Sequence, residues 1–116
     1  MRRGNKFHAI RTKASDGKTF DSRAEARRYE QLRLLIKTGQ ITDLQLHPSY
    51  KFEIDGQRLK CDSGRSVEYR ADFAYTDAAG ARVVEDVKSP ATRTPQYKIK
   101  RALMKAVLGV HVIEVP

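Results

Sequence analysis

The chain has a single cysteine, Cys61. One cysteine excludes an internal disulfide and any zinc site built from several cysteines. Long apolar runs are missing as well, since no stretch approaches the roughly 20 residues a membrane span needs. The opening Met1-Arg2-Arg3-Gly4-Asn5-Lys6 leads into no apolar segment of the secretory kind. These absences predict a cytoplasmic protein with no membrane partner. The glycines form no phosphate-binding loop. His8, His47 and His111 lie far apart without metal-ligand spacing, and His111, in an apolar stretch, reads as a packed residue. Cys61 has no local partner for nucleophilic catalysis. No repeat or low-complexity segment is present.

Positive charge is what the chain has in excess. The net charge is +9 over 116 residues, and its distribution is uneven. Residues 1–40 hold 11 Lys/Arg against 4 Asp/Glu, residues 41–90 hold 7 against 9, and residues 91–116 hold 5 against 1. Basic flanks thus enclose a segment that concentrates the acids. Basic surface attracts phosphate backbones through counterion release. Acids gathered inside such a surface suggest a divalent cation. A length of 116 residues fits one domain with a modest core.

Residues 1–19 are basic and show no period, so they read as an N-terminal arm, with a short strand at Phe7–Ile10 and a turn at Ser15-Asp16-Gly17-Lys18. A single domain then covers 20–116. Ser22 with Glu25 makes a capping-box pattern that opens a helix, in which Ala26, Tyr29, Leu32, Leu35 and Ile36 recur at helical spacing. Gly39 stops it. Strands follow at Ile41–Leu46, ended by His47-Pro48, and at Tyr50–Ile54, with Asp55-Gly56 as a turn. Residues 57–66 read as a polar loop. Alternation resumes over Val67–Tyr75, with Glu68, Arg70 and Asp72 on one face, and a turn at Thr76–Gly80 leads into Ala81–Lys88. Pro95 begins a second helix that runs to Leu108 with Ile99, Leu103 and Val107 on its apolar side, and Gly109 ends it. Val110–Val115 is a last, buried strand. Helix, strands, helix, strand is an α/β (α+β) class with a mixed sheet.

Val83-Val84-Glu85-Asp86-Val87-Lys88 places Asp86 and Lys88 on one face of a strand. Bare charges are costly to bury, so that face is expected to open onto a site. Glu85 points the other way and, like Glu30 on the first helix, reads as an ion-pair partner. A hairpin brings Asp72 beside Asp86, and carboxylates in such a pair suit Mg²⁺ or Mn²⁺. The expected ligands are Asp72, Asp86 and the carbonyl of Val87. Lys88 lies where an ammonium assists water and stabilises a charged transition state.

The ordered set Glu25, Asp72 and Asp86-Val87-Lys88, followed by a basic helix, resembles the PD-(D/E)XK nuclease superfamily. Phe20-Asp21-Ser22-Arg23-Ala24-Glu25-Ala26-Arg27-Arg28-Tyr29 followed by Gly39-Gln40-Ile41-Thr42-Asp43-Leu44 is similar to small phage and prophage endonucleases of that superfamily, some described as Holliday-junction-resolvase-like. The resemblance runs from Phe20 to the C-terminus. It implies a restriction-endonuclease-like core, with a central mixed β-sheet in αβββαβ order flanked by two helices. It implies a Mg²⁺-dependent endodeoxyribonuclease with catalytic Glu25, Asp72, Asp86 and Lys88, and Glu25 as a further metal ligand. The DNA would be held by Arg23 and Arg27 on the first helix and Lys98, Lys100 and Arg101 on the second, and Tyr97 either touches DNA or packs. Ala71 stands where the superfamily pattern often has proline. Branched or Holliday-junction DNA in phage recombination is the most specific substrate implied, and paired incisions would need a homodimer. No small-molecule cofactor is expected. The alternative reading is a non-catalytic basic nucleic-acid-binding module that keeps the fold, and RNA is a further candidate substrate.

Overall fold

Capping and glycine stops define the two helices. A computed structural model describes residues 11–116. The elements are β1 (Thr12–Lys13), β2 (Thr19–Phe20), α1 (Arg23–Lys37), β3 (Thr42–Leu46), β4 (Ser49–Lys51), β5 (Glu53–Ile54), β6 (Gln57–Arg58), β7 (Glu68–Arg70), β8 (Phe73–Thr76), β9 (Arg82–Val87), α2 (Pro95–Leu108) and β10 (Ile113–Val115), with a 3₁₀ turn at Pro90–Thr92. Ser22 caps α1 by accepting the Glu25 N–H, and Thr94 caps α2 by accepting that of Tyr97, satisfying donors left open in the first turn. Gly109 closes α2 in the left-handed region, at φ 68°, which L-residues with a Cβ rarely adopt.

The central sheet has four strands in the order β10-β9-β8-β3. β3, β8 and β9 pair antiparallel, and β10 joins β9 in parallel. Such a parallel return needs a crossover, and α2 supplies it. Around this sheet the chain runs α1, β3, β8, β9, α2, β10, so the fold is mixed α+β. Strand alternation divides the core in two. Phe73 and Tyr75 pack with Ala26, Tyr29 and Leu32 of α1, whereas Ala74 and Val84 pack with Tyr97 and Met104 of α2. No helix among the described residues is long and apolar enough to cross a membrane.

Several local expectations are corrected by long-range pairing. The strand expected across Val67–Tyr75 is broken at Ala71-Asp72, opposite His47-Pro48. β3 pairs with β8 up to Leu46↔Phe73, then β4 pairs with β7 from Ser49↔Arg70. The two segments are therefore one long hairpin bent once, and beyond the bend residues 49–70 leave the sheet as a ribbon. The turn at Asp55-Gly56 forms as read, with both residues at positive φ. The expected loop over 57–66 holds β6 and a bridge between Lys60 and Ser66.

At the N-terminus, residues 11–19 are part of the domain and not an arm. β1 and β2 form a hairpin whose Ala14 and Phe20 enter the core. Asp16 accepts a hydrogen bond from Tyr29 Oη (2.5 Å), and Ser15 donates to Glu30 (2.7 Å). The strand expected at Phe7–Ile10 lies outside the described residues. Ile36 and Ile99, assigned to apolar faces, are exposed, because α1 rests on the sheet through its first three turns and α2 through Tyr97 and Met104. The last strand is shorter than expected and lies at the sheet edge. Its Ile113 is exposed, and His111 precedes it and is exposed as well.

Candidate metal centre and cleft

The bend in the long hairpin is where the acids meet. His47 ends β3 with φ 52° and donates its backbone N–H to the Asp72 carbonyl (2.9 Å). Asp72, at the break before β8, stands across from Asp86 near the end of β9. Two bonds link the segments here: the Asp72 N–H donates to Asp86 Oδ1, and the Val87 N–H donates to Asp72 Oδ2, each at 2.8 Å. Carboxylate oxygens thereby add to the backbone ladder, in which the Asp72 N–H also reaches the Glu85 carbonyl (3.2 Å). Val87 enters this arrangement through its amide. Asp86 is only 2% exposed, and its Oδ2 has no hydrogen-bond partner among the described residues.

Glu25 reaches the same place from α1. Its side chain does not return to the Ser22 amide, so the expected capping box is only half formed. Glu25 Oε1 instead lies 2.6 Å from His47 Nε2. Donor atoms of Glu25, His47 and Asp72 all fall within 4.8 Å of one another. The sequence reading grouped only oxygen donors, whereas the structure brings the His47 imidazole beside Glu25 and Asp72. Sequence spacing could not reveal this, because the three side chains come from a helix, a bend and a strand break. The nearest signal was His47-Pro48 as a strand stop between two acid-bearing segments. Asp86 is not one of this trio but is bonded to Asp72 through its Oδ1.

Burial sets the electrostatics. It pushes the Glu25 carboxyl up, and the charge on Asp72 adds to the shift against the opposing His47 hydrogen bond. Asp72 is also raised by burial, against the pull of the Val87 N–H and Lys88. Asp86 is pushed up to about 6 by burial, although Lys88 opposes the shift. Asp21, just before the helix cap, adds negative field to both Glu25 and Asp72. Three carboxyls that resist ionisation in one neighbourhood suit a bound cation, and the orphaned Asp86 Oδ2 fits the same need.

Beside Asp86 opens a cleft of about 610 Å³. Its floor carries Asp86 and Lys88. The ribbon forms one wall with Arg65, Tyr69 and Arg70, and the start of α2 forms the other with Gln96, Tyr97 and Lys100. The Lys88 ammonium sits 4.3 Å from the Tyr97 ring centroid, a cation–π distance. Tyr97 packs, and its hydroxyl donates to Glu114 (2.7 Å). Arg23, Arg27 and Lys98 are exposed. Arg101, expected on phosphate, is turned inward: its guanidinium donates to the Val112 carbonyl (2.7 and 3.2 Å) and lies 3.4 Å from Glu114. It ties α2 to β10. Arg65 and Arg70 are the cleft cations that sequence reading did not single out. Their ribbon also packs on α2, where the Tyr69 and Tyr97 ring centroids lie 6.4 Å apart.

A pH dependence follows for the cation-free protein. The folded state holds the Asp86 proton more tightly than an unfolded chain with an ordinary aspartate near 3.8. The folded state binds more protons in that range, so stability falls as pH rises from about 4 to about 6. Glu25 and Asp72, both raised, act in the same sense. Glu114, held down to about 2 by Arg93 and Tyr97, acts oppositely but only below its ordinary 4.5. Thermal melts in EDTA should therefore drop between pH 4.5 and 6.5, values set by roughly those pKa limits. A melting temperature that rises across this window would contradict the assignment.

No curated protein and no solved structure matches the chain. Residues 4–110 match the family described as "Protein of unknown function (DUF1064)", and the chain belongs to that family.

Proposed function

We propose that the protein is a divalent-cation-dependent endodeoxyribonuclease that hydrolyses DNA phosphodiester bonds. The observation that carries this reading is the Asp72–Asp86 pair. Like charges directly opposite each other destabilise an antiparallel pair, and burial raises both carboxyls. Chemistry that needs closely spaced carboxylates accounts for keeping them there. Mg²⁺ or Mn²⁺, when bound, neutralises phosphate charge and lowers the pKa of a coordinated water. Glu25, Asp72 and Asp86 are the carboxylates that would hold it, with the Val87 carbonyl as a further oxygen.

The chain's own groups do the rest. Lys88 presents its ammonium at the cleft floor, where it stabilises charge on the phosphoryl oxygens. Water oxygen bonds to phosphorus as the bond to the departing sugar oxygen breaks. Arg65, Arg70 and Lys100 line the cleft and take the flanking phosphates, while exposed Arg23, Arg27 and Lys98 extend the positive surface. The order α1, β3, β8, β9, α2, β10 around the central sheet supports this reading. Branched DNA, cut by a homodimer in which each copy brings one site, is the most specific substrate that the sequence resemblance implies, with linear duplex DNA as the other candidate.

One observation favours the second reading, a non-catalytic nucleic-acid-binding module. Asp72 and Asp86 each give an oxygen to a backbone amide, so the pair also pins β8 to β9. Labelled four-way-junction, forked and linear duplex DNA separate the two readings when incubated with Mg²⁺, Mn²⁺ or EDTA. Cutting is expected with metal and absent in EDTA, and Lys88→Ala should slow it by about 100-fold or more while binding persists. Salt-sensitive binding without cutting under either metal would establish the binding module instead.

A further inference from the structure

We propose that His47 is the nitrogen ligand of a divalent-cation site completed by Glu25 and Asp72, and that this site prefers a first-row transition dication, such as Mn²⁺, over Mg²⁺. The inference deepens the nuclease reading by naming its cation, and it rests on that reading only for what the cation does.

Geometry comes first. Ligand atoms bound at about 2.1–2.3 Å around one ion lie roughly 3–4.5 Å apart. The donor atoms of Glu25, His47 and Asp72 lie within 4.8 Å of one another, so small movements close the set. All three arrive on structure that fixes them. Glu25 sits in the first turn of α1, where the Ser22 cap holds the backbone. Asp72 has Oδ2 tied to the Val87 amide at 2.8 Å, which orients the carboxylate as an outer hydrogen bond does for a metal ligand. His47 is held in the left-handed region at φ 52°, with its amide on the Asp72 carbonyl. Its ring lies 6.3 Å from that of Phe20. Opposite Asp72, the buried Asp86 Oδ2 has no partner among the described residues and adds a further oxygen beside the site.

Ligand chemistry then selects the ion. Mg²⁺ takes hard oxygen donors and keeps its waters, whereas imidazole nitrogen suits first-row transition metals. Two carboxylates and one imidazole make a mixed N/O set. The Glu25–His47 contact at 2.6 Å is then the resting arrangement, in which Nε2 meets a carboxylate oxygen. Binding replaces that contact with two bonds to one ion, with Nε2 as the unprotonated ring nitrogen that faces it.

The test measures binding without DNA. Mn²⁺ affinity is read by electron paramagnetic resonance of the free ion, and Mg²⁺ affinity by calorimetry. His47→Ala and His47→Gln should each weaken Mn²⁺ by about 10-fold or more, with Mg²⁺ changed by less than about 3-fold. Unchanged Mn²⁺ affinity in both variants, or tighter Mg²⁺ than Mn²⁺ in the unaltered chain, overturns the proposal. If the variants do not fold, the unaltered protein still decides. Substoichiometric Mn²⁺ should broaden the His47 ring resonances before those of exposed His111, and equal broadening of both refutes the site. Cleavage is scored separately. Mn²⁺ bound through His47 without DNA cutting upholds this site and sinks the nuclease reading. Cutting by His47→Ala with unaltered Mn²⁺ affinity does the reverse.

Discussion

Asp86→Asn should stabilise the cation-free protein while removing the proposed nuclease activity. Asp86 is 2% exposed, its Oδ1 accepts the Asp72 amide at 2.8 Å, and its Oδ2 has no hydrogen-bond partner among the described residues. Asparagine keeps the useful oxygen and removes the charge. Burial pushes the aspartate from 3.8 to about 6. Above that pH, a shift of this size corresponds to roughly 3 kcal/mol of instability in the folded state. The asparagine amide still buries an unpaired donor, at a cost of about 1–3 kcal/mol. Charge removal and orphan donor together leave a net gain of about 1 kcal/mol, or about 4 °C for a chain of this length.

Activity should move the other way by a much larger factor. Loss of a carboxylate on the cleft floor should slow the proposed cleavage by about 1,000-fold, equivalent to about 4 kcal/mol at the transition state. The two readouts together are diagnostic. An aspartate kept only to pin β8 to β9 would give a variant that is no more active or inactive than its stability dictates. A destabilised Asp86→Asn protein that still cuts DNA in proportion to its folded fraction would end the catalytic assignment. The gain in stability should also vanish below about pH 5, where the native aspartate is itself protonated in the fold.

The elements legible in the sequence were those whose signals are local. Ser22 with the α1 pattern, Pro95 at the start of α2 and Gly109 after it act through a few neighbouring backbone groups, and the helices begin and end where these residues put them. Asp72, Asp86 and Lys88 were legible as a group because alternation on two adjacent strands brings them together. What escaped depended on partners far away in the chain. The break at Ala71-Asp72 follows from Pro48 in the opposing strand. His47 looked isolated because nothing in its own segment ligates, and only folding of the bend brings it to Glu25. Arg101 shares a stripe with Lys98 and Lys105 on α2, yet the Val112 carbonyl lies within its reach and takes it. Nothing within its own helix sets Arg28 apart from Arg23 and Arg27. Arg28 is the strongest case of a role set by the partner it meets.

Arg28→Ala should destabilise the fold by about 3–5 kcal/mol, the range for stranding a buried charge. Glu85 is 1% exposed on the α1 side of β9, and Arg28 grips it with both arms of the guanidinium, Nε to Oε1 at 2.8 Å and Nη2 to Oε2 at 2.6 Å. The Tyr75 hydroxyl donates to the same carboxylate. Removing Arg28 leaves Glu85 with a neutral donor only. Glu85→Gln should cost less, because the Arg28 side chain is 21% exposed and reaches water without its partner. Arg28→Met with Glu85→Leu should recover most of the loss, since buried ion pairs replaced by packed apolar groups are often neutral. Denaturant melts of the four proteins test this order, and equal costs for Arg28→Ala and Glu85→Gln would overturn it. The pair also joins the helix that carries Glu25 to the strand that carries Asp86. The double apolar variant therefore tests more than stability. A recovered fold with cleavage still reduced would show that this ion pair sets the spacing between the two carboxylates. Full activity in that variant would assign it to stability alone.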